Sequence, residues 1–314
     1  MQPADGSTIS PKTARAIAAR HGLRAGTVRL LRVGASVTVY LLGERHVLRL
    51  LRRVADDPSA ARTEVIAVRA ARTVGVRAPR LVAFDDARDL LPVPYALYER
   101  VEGESLEALR LPPEATPQVW RELGRDLALL HTAVRADGAA GQLGDWPANP
   151  DPRPWLAEAT TAGYFNPAEA RWLSGWLDRL APIAQASVQA QFCHGDVNAS
   201  NVMVRAGATG ALEYLALLDW DAAGWGDPAW DFSGVPLQAA LRLLAAHREV
   251  APLPADDTAE ACILWSRLQL ALFGLRREHE RNLTRATPAA RRLLDGVRFF
   301  VGATYLRELG PSAP

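Results

Sequence analysis

Three oxygen-bearing side chains near the middle of the chain have types and positions that suit chemistry better than folding. Asp196 and Asn201 lie in the stretch HGDVNASNVMV, and Asp219 follows in LALLDWDAAGWGDPAWDF. A carboxylate beside an apolar strand loses hydration unless a cation or a hydrogen-bond donor replaces the lost water. Carboxylate and amide oxygens are also the ligands that Mg²⁺ prefers. The three residues are therefore candidates for one metal-dependent site.

The alternative interpretation is that these residues only cap their own turns, as Asp and Asn often do. Their occurrence together, beside predicted strands, favours a site. Cys193 is the only His or Cys near His194 in the sequence, which is too few ligands for zinc, so we expect His194 to brace the loop through hydrogen bonds. Asp221 and Asp227 are expected to be turn or helix-capping acids, with contact to metal or substrate as the alternative.

Composition limits the classes of function. The chain has 314 residues, 49% of them hydrophobic, and a formal net charge of +1, which disfavours nucleic acid as a partner. The only cysteines, Cys193 and Cys262, give no sign of a disulfide framework or a thiol zinc site. No stretch resembles a signal peptide or a membrane span. We expect a cytoplasmic protein without a membrane partner, and the sequence does not indicate an oligomeric state.

The first third of the chain is predicted to be rich in strands. SPKTARAIAARHG is a predicted helix, with Ser10 as its N-cap, Pro11 at its first position and Gly22 as its stop. Residues 58–75 form a second predicted helix. The predicted strands lie in TVRLLRV, SVTVYLL, HVLRLLR, PRLVAFDD and PYALYERVEG.

The remainder is predicted to be mainly helical. In residues 117–135, large apolar side chains recur every three or four positions, which is typical of a helix packed on a core. Two shorter helices are predicted before Ala186, and others over residues 236–247, 258–277 and 287–309. The change of pattern near Gly103 predicts two domains, residues 1–102 and 103–314.

The two polar stretches resemble motifs of a known family. HGDVNASN fits H-x-D-x-x-x-x-N, and LLDWDAAGWGDPAWDF is similar to the ID-W…G-D-P…D-[LF] segment of the aminoglycoside phosphotransferase and choline kinase family. The resemblance extends from the strand near Val28 to the helices after Asp231. It implies an α+β, bilobal, protein-kinase-like fold, with a small N-terminal antiparallel-sheet lobe for the nucleotide and a larger, mainly helical C-terminal lobe. The implied activity is transfer of the γ-phosphoryl group of ATP or GTP to a hydroxyl of a small molecule.

The resemblance also implies roles for the polar residues. Phosphoryl transfer needs mainly alignment and neutralisation of charge. Asp196 would accept the proton of the incoming hydroxyl and orient that group, while Asn201 and Asp219 would hold Mg²⁺. Asp231 matches the acid that anchors the catalytic loop from behind.

Residues of the first lobe would hold the nucleotide. Gly34, Ala35 and Ser36 occupy the position of the phosphate-covering loop. Arg49 stands where such kinases place a lysine, and Glu64 is its expected ion-pair partner. The alternative for Arg49 is an exposed arginine at a strand edge, and arginine is in any case weak evidence of selection in a chain whose only lysine is Lys12.

The stretch LYERVEG is expected to form the hinge that receives the purine. Tyr98 would lie at the back of the pocket, and backbone groups near Arg100 and Val101 would pair with the purine edge. These contacts are made by the main chain, so the sequence leaves ATP and GTP as alternatives.

The acceptor is the least determined part. The resemblance places the acceptor on the helical lobe. Between Gly141 and Leu180 the acids are offset by arginines, so the acidic funnel expected for a polycationic aminoglycoside is missing. We therefore expect a neutral or anionic hydroxylated small molecule at least as readily, with antibiotic inactivation for self-protection as one hypothesis. A nucleotide-binding pseudokinase, motivated by Arg49, and a non-enzymatic scaffold are the alternatives.

Overall fold

A computed structural model describes residues 8–34, 37–51, 59–146, 150–186, 189–208 and 210–280. The strands are β1 (Val28–Val33), β2 (Val37–Leu42), β3 (His46–Leu51), β4 (Leu81–Asp85), β5 (Tyr95–Glu99), β6 (Glu104–Ser105), β7 (Gln191–Cys193), β8 (Val202–Ala206), β9 (Leu212–Leu217) and β10 (Gly224–Gly226). The α-helices are α1 (Pro11–Arg20), α2 (Ser59–Thr73), α3 (Pro117–Ala133), α4 (Arg153–Thr161), α5 (Pro167–Ala184), α6 (Leu237–Val250) and α7 (Ala259–Glu280). Short 3₁₀ turns connect several of them. The predicted helix over residues 287–309 lies outside the described residues.

The first five strands form one antiparallel sheet in the order β1-β2-β3-β5-β4. Gly43, with φ of +60°, allows the tight turn between β2 and β3. Because side chains alternate along a strand, Leu48 and Leu50 point to one face of β3, where both are fully buried. Val47 and Arg49 point to the other face. The strands predicted for the first third of the chain are thus confirmed.

Helix α1 covers the Leu48 face of this sheet. Ser10 begins the helix, since its Oγ accepts from the Thr13 backbone N–H at 3.1 Å and replaces a missing intrahelical bond. Ile17 and its alanine neighbours pack against Tyr40, Leu48 and other apolar residues of the sheet. Helix α1 therefore does not cover the face of the sheet to which Arg49 points.

A second, three-stranded antiparallel sheet has the order β6-β8-β9. Val202 at the start of β8 pairs with Leu217 at the end of β9. The Leu217 N–H also donates to the Arg77 carbonyl at 2.8 Å, which ties this hairpin to the segment after α2. The loop before β8 and the segment after β9 consequently lie at the same end of the hairpin.

The described chain forms two compact units that interleave in sequence. The first contains residues up to Leu111, Ala133–Leu143 and His194–Gly224, and hence both sheets described above. The second contains Pro112–Thr132, Gly144–Cys193 and the residues from Trp225 onward, with α3 to α7. Its core includes the fully buried indoles of Trp120, Trp176 and Trp265. The lobe boundary near Gly103 stays a prediction.

None of the described helices combines the length and apolarity that crossing a membrane requires.

Candidate active site

The loop between β7 and β8 carries Asp196 and is held from within by His194. His194 is fully buried; its Nε2 lies 3.0 Å from the Leu218 carbonyl, and its Nδ1 lies 3.2 Å from the Asp196 backbone N. A carbonyl can only accept and a backbone N–H can only donate, so the proton is on Nε2. Gly195 permits the turn between them with φ of +87°. The ring thereby fixes the backbone on which Asp196 stands.

Two asparagine amides orient the Asp196 carboxylate. Asn198 Nδ2 donates to Oδ1 at 2.9 Å, and Asn201 Nδ2 donates to Oδ2 at 3.0 Å. Asn201 also donates to the Asp196 carbonyl at 2.9 Å, which closes the loop on itself. The sequence interpretation did not single out Asn198. The available signal was its spacing, because an Asn two residues after an Asp often bonds locally in a turn.

The strand register brings Asn201 close to Asp219. Since Val202 pairs with Leu217, the preceding residue, Asn201, falls opposite Leu218, and the Leu218 N–H donates to the Asn201 carbonyl at 2.8 Å. Asp219 follows immediately in the left-handed region, with φ of +69°. A non-glycine residue is strained there by about 1–3 kcal/mol, and such strain clusters at functional sites.

Arg49 bridges two carboxylates that are far apart in sequence. Its Nη2 donates to Asp219 Oδ1 at 2.5 Å, and its Nε lies 3.2 Å from Glu64 Oε1. Its side chain is only 13% exposed, so it is not the exposed strand-edge arginine of the alternative interpretation. The ion pair that the sequence predicts between Arg49 and Glu64 is present, and Asp219 joins it.

Burial and charge act in opposite directions on these groups. Burial opposes the charge of Asp219, but the charge and hydrogen bond of Arg49 outweigh it and lower the pKa of this carboxyl. For Glu64 the effect of burial is larger than that of the adjacent Arg49, and the pKa of its carboxyl is raised. Burial and the charge of Asp219 also raise the pKa of Asp221. Asp221 therefore belongs to the same electrostatic group as Asp219 and Arg49.

The oxygen atoms present here suit a hard divalent cation. Among the described residues, Asp219 Oδ2 and Asn201 Oδ1 accept no hydrogen bond, because Arg49 uses the other carboxylate oxygen and the asparagine amide nitrogen faces Asp196. One carboxylate and one amide oxygen, with Asp221 beside them, match the few protein ligands that Mg²⁺ takes. The predicted ligands thus fit the ion.

Two of the residues predicted to hold the nucleotide, Arg49 and Tyr98, lie on the sheet of the first unit. Arg49 pairs across the strands with Val39 and Ala96 near the centre of the sheet. Tyr98, on β5, points to the same face of the sheet as Arg49, and burial raises the pKa of its phenol.

The predicted hinge and phosphate loop are placed only in part. The Arg100 N–H already donates to the Arg45 carbonyl at 2.7 Å, so it is not free for a purine. Val101 makes no hydrogen bond among the described residues, which leaves its backbone as the better candidate. Ser36 and Ala35 lie outside the described residues.

A separate buried polar cluster lies in the second unit. Potential ligand atoms of His131, Cys193 and Asp231 lie within 4.8 Å of one another. However, His131 Nε2 is 2.9 Å from Asp231 Oδ2, and the Cys193 thiol, whose pKa burial raises, contacts the Gly226 carbonyl at 3.7 Å. His131 Nδ1 is also 3.0 Å from His247 Nε2. These contacts make the cluster a buried hydrogen-bonded network, whose Cys193 directly precedes His194 in the sequence.

The antiparallel sheet and the mainly helical second unit belong to a kinase-like fold. The model of the "Phosphotransferase enzyme family" matches residues 27–270. The chain therefore belongs to this family.

Three relatives illustrate its range. Viomycin phosphotransferase of Streptomyces vinaceus is 27% identical over 232 residues, which are 70% of this chain and 77% of that protein. The structure of spectinomycin phosphotransferase APH(9)-Ia with ADP and spectinomycin aligns with a TM-score of 0.63 and 13% identity, over 96% of this chain and 97% of that one. Macrolide 2'-phosphotransferase MphH of Brachybacterium faecium aligns with a TM-score of 0.60 and 23% identity, over 90% and 98%. The structural matches show the fold alone.

Proposed function

We propose that this enzyme transfers the γ-phosphoryl group of ATP or GTP to a hydroxyl of a small molecule, with Asp196 as the base and Mg²⁺ held by Asn201 and Asp219. The observation that carries the proposal is that Asn201 forms hydrogen bonds both with Asp196 and with the residue before Asp219. Its amide nitrogen holds the Asp196 carboxylate at 3.0 Å, and its carbonyl accepts from the residue before Asp219. The proposed base and the two proposed metal ligands therefore lie where the loop before β8 meets the segment after β9.

Asp196 is suited to align an alcohol. Its two oxygens each accept one amide hydrogen bond, which fixes the plane of the carboxylate and leaves further lone pairs for the incoming hydroxyl. Such a base contributes about 10²- to 10⁴-fold to the rate. Because the donors are side chains of the same loop, this orientation exists before the substrate binds, as positioning catalysis requires.

Cationic groups of the chain would receive the phosphates. Arg49 keeps its Nη1 hydrogens free of protein partners among the described residues while its other nitrogens face Glu64 and Asp219. A planar guanidinium can bind phosphate oxygens through two N–H groups, unlike a lysine ammonium. Mg²⁺ at Asn201 and Asp219 would neutralise the phosphate oxygens that Arg49 does not reach.

The acceptor is proposed to be a hydroxylated antibiotic or metabolite without several positive charges. In the second unit, Arg153 pairs with Asp151 at 2.7 Å and with Asp178 at 2.8 Å, and Glu158 lies 3.5 Å from Arg276. These acids are thus already balanced and give little attraction for a polycation. Partly exposed aromatic pairs, Trp155 with Phe273 and Trp146 with Trp230, instead offer apolar surfaces for a ring system.

The names of the similar proteins support an antibiotic as the acceptor, because they refer to viomycin, spectinomycin and macrolides, which are chemically different antibiotics. The purified chain should therefore be incubated with Mg²⁺ and ATP or GTP against spectinomycin, viomycin, kanamycin, macrolides and hydroxylated metabolites. We expect one compound to gain the mass of one phosphate, and we expect this gain to vanish with Asp196→Asn. Transfer at the normal rate by Asp196→Asn would refute the assigned base.

A further inference from the structure

The edge strand β1 contains a bulge that changes the direction of one arginine. Val28, Arg29 and Leu30 pair in step with Leu42, Leu41 and Tyr40 of β2, but the register then shifts, and Arg32 pairs with Val39. With an unbroken register Arg32 would have faced Thr38, because consecutive residues pair in reverse order. Leu31 is the extra residue of the bulge, and bulges of this kind re-aim side chains next to active sites.

The shift places Arg32 on the same face of the sheet as Arg49. Val39 pairs with Arg32 on one side and with Arg49 on the other, so the three residues form one row across β1, β2 and β3. Directly paired residues point to the same face of a sheet. Neighbouring strands lie about 4.8 Å apart, so the two arginine backbones are separated by roughly 10 Å. Without the bulge, Arg32 would point toward the face that α1 covers.

The two arginines differ in whether nearby carboxylates balance their charge. Arg49 is balanced by Glu64 and Asp219. Arg32 is exposed and makes no hydrogen bond or ion pair among the described residues. An unpaired arginine on the face that carries Arg49 is a free binding group for an anion.

Arg32 also lies at the start of the turn that follows β1. A Cβ atom built on Gly34 would be 3.6 Å from Arg32 Nε, so the guanidinium lies alongside this glycine. The Arg32 side chain therefore lies beside the backbone at the end of β1.

We propose that Arg32 is a second phosphate-binding residue, which contacts the polyphosphate of the nucleotide from β1 while Arg49 contacts it from β3. The proposal rests on the proposed nucleotide-dependent function of the same site. It also explains how a chain with arginine at position 49 and no glycine-rich G-x-G-x-x-G motif could hold a triphosphate.

The test is equilibrium binding of ATP, ADP and AMP to the full chain by titration calorimetry, with and without Mg²⁺. Arg32→Gln should weaken ATP binding about tenfold, equivalent to about 1.4 kcal/mol, and should change AMP binding little. Arg32→Lys should retain part of the affinity. Arg29→Gln is the matched control, since Arg29 is an exposed arginine on the same strand and face, opposite Leu41. It should bind all three nucleotides like the wild type.

The outcomes separate this inference from the proposed function. If the wild type binds ATP and Arg32→Gln binds it equally well, the role of Arg32 is refuted and the kinase function stands. Equal weakening of ATP and AMP by Arg32→Gln would also refute it, because a phosphate contact must distinguish them. If the wild type binds no nucleotide at all, the proposed function itself fails.

Discussion

The guanidinium of Arg49 donates to Asp219 Oδ1 at 2.5 Å while its Nε lies 3.2 Å from Glu64. This one side chain joins strand β3, helix α2 and the segment after β9 within the first compact unit. The contact determines which charges are balanced in the free protein, and it links the stability of this unit to the residues proposed for phosphoryl transfer.

Arg49 and Glu64 should show strong energetic coupling. Arg49→Met leaves the buried Glu64 carboxylate without its cation, and we expect a loss of about 3–5 kcal/mol in the free energy of unfolding. Adding Glu64→Gln should recover part of it, with a coupling of about 1–3 kcal/mol in denaturant unfolding. The exposed pair of Arg62 and Asp86 is the control, with a coupling expected below about 1 kcal/mol. Additive losses for the buried pair would contradict the bridge.

Asp196→Asn should lower turnover by about 10²- to 10⁴-fold, because an amide cannot accept the hydroxyl proton. Nucleotide affinity should be nearly unchanged, as Asp196 is assigned to the acceptor. Steady-state kinetics and nucleotide titration measure the two effects. Glu213→Gln, in an exposed ion pair with Arg205 of the same hairpin, should be neutral in both. A large loss of nucleotide affinity in Asp196→Asn would argue against the assigned role.

Gly103→Ala should destabilise the fold by about 1–3 kcal/mol through overpacking. A Cβ atom at this position would lie 2.3 Å from the Val204 carbonyl oxygen, where β6 pairs with β8. Thermal unfolding measures the change. Gly26→Ala is the matched control, because a Cβ atom there meets nothing within 4 Å. Equal melting temperatures for the two variants would show that the backbone near Gly103 shifts at no cost.

His247 should make the fold sensitive to acid. Burial, and then the neighbouring His131, lower its pKa from 6.5 to about 3, while its Nδ1 donates to the Ala251 carbonyl. Below about pH 6.5, His247 binds a proton in the unfolded chain but not in the folded chain. The free energy of unfolding therefore falls by up to about 1.4 kcal/mol for each pH unit of acidification.

Denaturant unfolding between pH 7 and pH 5 tests this dependence. In His247→Asn the amide N–H lies near the position of Nδ1 and can still donate to Ala251, but it does not titrate, so the stability of this variant should fall less steeply toward acid. The other groups facing this histidine, His131, Asp231 and Asp256, are present in both proteins. An identical slope for the variant and the wild type would assign the acid sensitivity to those groups.

Much of the local structure could be predicted from the sequence. Runs of apolar and branched residues placed the strands of the first sheet, and Ser10 and Pro11 marked the start of α1, because these signals depend only on neighbours in the chain. The five-residue spacing of Asp196 and Asn201 likewise predicted that one loop carries both. Ala35, Ser36 and the helix predicted over residues 287–309 lie outside the described residues.

The sequence alone determined the order of elements, the face on which Arg49 stands and the membership of the polar motifs in a phosphotransferase family. Only the tertiary structure decided that Arg49 meets Asp219 as well as Glu64, that Asn198 joins the carboxylate of Asp196, and that a bulge turns Arg32 to the same face. The physical reason is that periodicity records which side of an element is apolar. The meeting of charges 170 positions apart, as for Arg49 and Asp219, depends instead on how distant elements pack, and no local pattern encodes that packing.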